Sequence, residues 1–139
     1  MLHVSSGAAH GGAPGMAPYC ASKAALKSVY ESLRDELRPR HILVGSAMPG
    51  VADTPMQTAL LEDLAGDHPM RAYFEDLRAT TPTSGSPSPS PRPPPDRGLD
   101  APSNVAAFLN YLLFDCPDDD FGAKDHDIQD PEHHARWAR

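Results

Sequence analysis

Cysteine, aromatic rings, basic charge and long apolar runs are all scarce in this chain, and each shortage removes a class of function. Two cysteines, Cys20 and Cys116, occur in 139 residues, far apart and outside any CxxC pair. That argues against a disulfide framework and a thiolate zinc site, and it makes a reducing, cytoplasmic setting the expectation. Twelve Lys and Arg face nineteen Asp and Glu, a formal net charge of −7. A polyanion would meet repulsion, so no nucleic-acid partner is expected. No stretch approaches the roughly 18 apolar residues of a membrane span. The opening MLHVSSGAAHGG lacks the basic and apolar blocks of a signal peptide. The chain reads as soluble, with no membrane partner. Its 40% apolar content, only 6% of the chain being aromatic, suffices for one compact domain with a modest core.

Proline, by contrast, is abundant, with sixteen residues in the chain. Residues 80–98 alone hold seven prolines and four serines and almost nothing apolar, the composition of an extended, solvated linker or insertion. It divides the chain into residues 1–79 and residues 99–139. Pro91 and Pro94 make one PxxP that an SH3 or WW module could read, but Arg92 and Arg97 complete neither usual flanking pattern. A spacer is the better reading.

Before the linker, residues 2–6 read as the end of a buried strand, and GAAHGGAPGMAP after them as a flexible loop. From Tyr19 the residues Ala21, Ala24, Ala25, Leu26, Val29, Tyr30, Leu33 and Leu37 recur at helical spacing. This predicts a helix over residues 18–37, the longest element, ended by Pro39. The run HILVGSAMPG over 41–50 predicts a strand buried on both faces. Strand, helix and strand in about fifty residues make a βαβ unit with parallel strands. Residues 55–64 and 69–77 read as short helices, each opening on proline. Residues 101–114 read as a helix capped by Ser103, with an apolar band of Val105, Phe108, Leu109 and Leu112. The remaining tail looks polar and mostly irregular, with a brief strand near 124–128.

Chemistry concentrates on the long helix. Tyr19 and Lys23 stand four residues apart, so both side chains leave one face and can converge on one ligand. An ammonium beside a phenol stabilises the phenolate, which makes the tyrosine a better proton donor and acceptor near neutrality. Ser6 ends the preceding strand, and the glycine-rich loop can fold back to set its hydroxyl beside the phenol. A substrate oxygen could then be held twice.

With SSG, then YCASKAAL, then PGVADTPM, the chain resembles the short-chain dehydrogenase/reductase family. The resemblance is close over residues 2–56 and loose over 101–114. It implies that Ser6 bonds the substrate carbonyl or hydroxyl, that Tyr19 is the general acid/base, and that Lys23 lowers the tyrosine's pKa while binding the nicotinamide ribose. Pro49, Gly50 and Thr54 would line the nicotinamide and bond its carboxamide, with Ala52 where a larger β-branched residue is usual. The implied cofactor is NADP or NAD, NADP slightly ahead, and the implied substrate a small-molecule carbonyl or secondary alcohol. Elements of the family are missing from this sequence: the opening strand, TGxxxGxG turn and helix that hold the pyrophosphate, and the later NNAG strand and active-site asparagine. The expected fold is therefore α/β, a partial, N-terminally truncated, Rossmann-like doubly wound parallel sheet. Residues 1–79 would form its catalytic half, and 99–139 a helix and polar tail of the same domain.

Two readings follow: an NAD(P)-dependent oxidoreductase with impaired cofactor binding, or a catalytically inactive remnant that acts as a binding or dimerisation partner. A homo-oligomer through the helix at 19–37 fits either, because related enzymes commonly pair through this helix. The cluster Asp125, His126, Asp127, Asp130, Glu132, His133 and His134 has metal-ligand side chains, but an acidic, proline-broken tail is more often solvated, so no metal is expected. Cys20 is read as a packing thiol.

Overall fold

The computed structural model describes residues 1–80 and 99–137, the side chains of 133–135 excepted. In chain order the elements are β1 (Leu2–Val4), α1 (Ala17–Leu37), β2 (Gly45–Met48), α2 (Pro55–Asp63), α3 (Arg71–Thr80), α4 (Pro102–Asn110), α5 (Asp118–Phe121), β3 (Asp125–Asp127) and α6 (Pro131–Trp137). The three strands form one parallel sheet in the order β1-β2-β3. Helices flank it on both faces, so the fold is α/β and Rossmann-like in part. The linker expected at 80–98 lies, past Thr80, outside the described residues.

β2 holds the middle of the sheet, and Val44 through Ala47 are buried, as a strand covered on both faces requires. It starts later than the apolar run suggested. α1 runs out through a 3₁₀ turn, Arg38–Arg40, and His41 takes a left-handed conformation, φ 58°, so residues 41–43 are spent on the exit from the helix. The expectation that β1 is buried needs correction. Among the described residues β1 pairs with β2 alone, and Val4 is exposed. An edge strand keeps one side of its backbone and part of its side chains in solvent.

α1 is the longest helix, with Pro18 in its first turn, where the absent N–H costs nothing. Its apolar residues do not form the single buried stripe that the spacing suggested. Cys20 and Tyr30 are buried and Lys23, Lys27 and Leu33 are half-buried, whereas Ala21, Ala25, Leu26 and Val29 face outward.

The C-terminal elements carry two further corrections. Ser103 does not cap α4: Ala101 is the cap residue, extended at φ −62° and ψ 137°, the conformation that a following proline imposes. α3 begins at Arg71 rather than at Pro69. His68 turns the chain there, its Nδ1 accepting from Met70 N at 3.2 Å and its carbonyl from Arg71 N at 2.9 Å. After α4 the last turn widens into a π-turn, Tyr111–Asp115, closed by Cys116 N donating to Tyr111 O at 2.8 Å.

The tail read as polar and mostly irregular supplies Phe121, Ile128 and Trp137 to the core, beside Phe108, Tyr111 and Leu112 from the segment expected to be an apolar-banded helix. These side chains cluster on Ala47 of β2. Phe121 lies flat against Gly45, where a Cβ would sit 2.7 Å from its ring. Gly45→Ala is therefore expected to destabilise the fold by about 1–3 kcal/mol, the usual cost of overpacking. A urea midpoint unchanged by this substitution would show that Phe121 can withdraw. Among the described residues no helix is long and apolar enough to cross a membrane.

Candidate active site

Ser6 and Pro49 each lie two residues beyond the paired positions Val4 and Ala47, so both emerge at the C-terminal edge of adjacent parallel strands. In open α/β sheets that edge is where ligands bind. The Ser6 backbone is extended, and its side chain caps the 3₁₀ turn Gly7–Ala9, Oγ accepting from Ala8 N at 3.2 Å. This turn begins the reversal that leads to α1 and brings Tyr19 back over the strand end. The Tyr19 hydroxyl donates to the same Ser6 Oγ at 3.4 Å. With two donors on its lone pairs, the Ser6 hydroxyl keeps its own proton for a third partner.

Lys23, one turn along α1, reaches down to β1 and donates from Nζ to Val4 O at 3.1 Å. Its ammonium lies 6.0 Å from the centroid of the Tyr19 ring, within cation–π range. The tyrosine itself is 37% exposed, so it is open to a ligand. Ser6, Tyr19 and Lys23 thus come together at one place.

The second sequence element follows β2. Gly50 turns the chain at φ 71°, and a Cβ there would overlap the Asp100 carboxylate, so only glycine fits. Beyond it Ala52 pairs with Asp100 in a parallel bridge, Asp100 N donating to Val51 O and Asp53 N to Asp100 O, each at 2.8 Å. Thr54 starts α2, but its hydroxyl makes no capping bond. Pro49 and Thr54 are half-buried. The turn between α2 and α3 comes back to the site, with the His68 ring set directly against Gly15 in the loop before Tyr19. Nothing in the sequence pattern pointed to that contact.

Compared with known protein families, the chain matches the short chain dehydrogenase family over residues 1–65. Over this segment the chain is similar to the short-chain dehydrogenases. The match takes in Ser6, Tyr19, Lys23 and the segment from Pro49 to Thr54, and it ends in the turn after α2. No significant match is found among curated proteins or among solved structures. Short-chain dehydrogenases are oxidoreductases, and as a family they generally use NAD(P).

The short-chain dehydrogenase segment rests on a polar layer between the sheet and α1 that the sequence pattern did not reveal. Asp125 accepts from Ser5 Oγ at 2.7 Å, from Ser46 Oγ at 2.8 Å and from His10 Nε2 at 3.0 Å. Because a carboxylate only accepts, Nε2 of His10 carries the proton in this contact. His10 and Asp125 lie 115 positions apart, and no spacing rule connects them. The metal-type cluster of the tail divides instead: Asp125 faces this layer, while His126 is buried with its ring on the carbonyls of Asp120 and Phe121. Adjacent strand residues point to opposite faces, so the two could not share an ion.

Two groups of this layer link stability to pH. Burial lowers the pKa of His3, whose ring stacks on Tyr30 at 5.5 Å, with Lys23 lowering it further and Asp125 opposing. For Asp125 burial alone would raise the pKa, but the Ser5, His10 and Ser46 hydrogen bonds outweigh it and the net direction is down. Both folded-state values lie below the unfolded ones, so the unfolded chain binds more protons and stability declines as the pH drops. The His3 contribution is complete above pH 6.5 and lost below it, and that of Asp125 is complete above pH 3.8 and lost on further acidification. Urea midpoints measured across this range should fall in two steps. His3→Phe should remove the upper step, and a midpoint that still drops there in the variant would place its origin elsewhere.

Proposed function

We propose that the chain serves an NAD(P)-dependent oxidoreductase of the short-chain type, acting on a carbonyl or a secondary alcohol. One observation carries the reading: the Tyr19 and Ser6 oxygens, 3.4 Å apart at the C-terminal sheet edge, with the Lys23 ammonium beside the phenol. In the reductive direction the Ser6 hydroxyl donates to the substrate carbonyl and fixes it. Tyr19 delivers the proton to that oxygen as it becomes an alkoxide, and the Lys23 charge offsets the phenolate left behind. In oxidation the same groups work in reverse.

The residues present fit the nicotinamide end of a dinucleotide. Lys23 commits one of its three donor protons to Val4 O, so others can meet a ribose hydroxyl, with Tyr19 beside it. Pro49, the Gly50 turn, Ala52 and the uncapped Thr54 hydroxyl offer a close-approach backbone and a polar group for the ring and its carboxamide. NADP or NAD, when bound, supplies or accepts the hydride. Both cysteines are free thiols, in keeping with a cytoplasmic setting.

Reduced nicotinamide mononucleotide, the half of the cofactor these residues would meet, gives a direct test on the chain itself. Titrated at millimolar concentration, it should move the NMR signals of Tyr19, Lys23 and Thr54 and spare those of α4. Shifts scattered over the surface, or none, would count against the cofactor reading.

A second reading is association, and it has its own observation. α1 leaves Leu26 44% and Val29 53% exposed, beside the outward-facing Ala21 and Ala25. This face suits a second copy of the chain. Sedimentation should show self-association that Val29→Glu abolishes, whereas a wild-type monomer at high concentration would dispose of this reading.

A further inference from the structure

The geometry points to Asp125 and His10 as positioning residues that hold Ser6 beside Tyr19. The inference rests on the oxidoreductase reading and extends the site to β3, a strand outside the short-chain dehydrogenase match. Ser6 lies between two anchors of one carboxylate. Ser5, immediately before it, donates to Asp125 Oδ2, and His10, at the end of the turn that Ser6 caps, donates to the same oxygen.

Oδ1 of Asp125 accepts from Ser46 on β2, which fixes the carboxylate on the central strand. The strand register sets this up, since His3, Ser46 and Asp125 are lateral neighbours across β1, β2 and β3 and their side chains leave the same face. Ser5, two residues beyond His3, points the same way. The Asp125 side chain is only 16% exposed. A carboxylate so enclosed holds its place only while its donors do, because each lost donor leaves a buried acceptor unsatisfied.

The consequence for Ser6 is steric and immediate. Its hydroxyl meets Ala8 N and Tyr19 OH, both on or beyond the turn that His10 tethers. With the His10 contact cut, the turn keeps its own hydrogen bonds but is released from the sheet, and the Ser6 to Tyr19 distance is no longer fixed. His3 on β1 and Lys23 and Tyr30 on α1 also belong to this layer, and none of them is bonded to Ser6.

NMR of the chain provides the test, read as the through-space contact between the Tyr19 ring protons and the Ser6 β protons. The contact should be present in the wild type and lost in His10→Ala, Ser5→Ala and Asp125→Asn. His10→Gln, which keeps a donor at the end of the side chain, should restore it. Lys124→Gln removes only the ion pair with Asp130 and should leave it unchanged.

Should Asp125→Asn not fold, His10→Ala decides, since that side chain is exposed in a loop. A folded His10→Ala protein with the contact at full strength would overturn the assignment, as would failure of His10→Gln to restore a lost one. Absence of nicotinamide mononucleotide shifts in the wild type would sink the cofactor reading while leaving this contact measurable, so the two failures are distinct.

Discussion

Assayed alone, the 139-residue chain is expected to bind NAD(P)H weakly and to reduce carbonyl substrates at no useful rate. Productive hydride transfer needs the reacting atoms within about 3–3.5 Å, a geometry maintained by binding energy from the rest of the cofactor. Tyr19, Lys23 and Thr54 can meet only its nicotinamide end. Dinucleotide folds hold the pyrophosphate on a glycine-rich turn at a helix N-terminus. The loop GAAHGG does not substitute for it, since its first turn is capped by Ser6 and it carries His10 to Asp125. Supplying a short-chain dehydrogenase N-terminal half with the TGxxxGxG turn, fused or in trans, should restore turnover. Tyr19→Phe in that assembly should then lower the rate by about 10²–10⁴-fold, the range for removing a general acid. NADPH oxidation by the chain alone, dependent on carbonyl substrate and lost on Tyr19→Phe, would refute the expectation and show that self-association or another segment completes the site.

Local signals account for what could be read without coordinates. The i, i+4 spacing of Tyr19 and Lys23, the proline at the start of α1 and the apolar run of β2 each act within a few residues; α1 formed where they placed it, and β2 formed within the run although it starts only at Gly45. The Ser6 loop was legible for the same reason, since glycine and proline mark a chain reversal. What escaped depended on registry between distant segments. β3, Asp-His-Asp, falls within the brief strand expected near 124–128, but nothing in so short a run signalled that it would pair in parallel with β2. Only once β3 is placed does Asp125 reach Ser5, Ser46 and His10. The burial of α1 was misread on similar grounds: small and apolar residues lie around much of the helix, and the sheet took the side that carries Cys20, Lys23 and Tyr30. Ser103 looked like a cap because serine often is one, but Pro102 had already fixed the conformation of the residue before it.

Phe108→Ala should destabilise the fold by about 3–5 kcal/mol, more than the Gly45→Ala overpacking does, and it should disable the site from a distance. Phe108 is fully buried, meets Trp137 edge-on at a centroid distance of 6.0 Å and packs with Ala47 of β2. Truncation removes a large apolar surface and leaves a cavity that Leu112, Phe121 and Ile128, drawn from different elements, cannot all move to fill. Domains of this size have only about 5–15 kcal/mol of total stability, so the loss approaches the whole margin. The effect on function follows from connectivity. β3 lies over this cluster through Ile128, whose N–H donates to Met48 O at 3.0 Å, and β3 carries Asp125. Loosening the cluster therefore releases the carboxylate that anchors Ser5 and His10, although Phe108 itself lies outside the short-chain dehydrogenase match. Urea unfolding should show the lost stability, and the Tyr19 to Ser6 contact should fade at denaturant concentrations the wild type tolerates. Phe114→Ala provides the control, because that ring is 77% exposed and its removal should stay within about 0.5 kcal/mol. Equal losses for the two phenylalanines would mean that the cluster on Ala47 does not hold the sheet together.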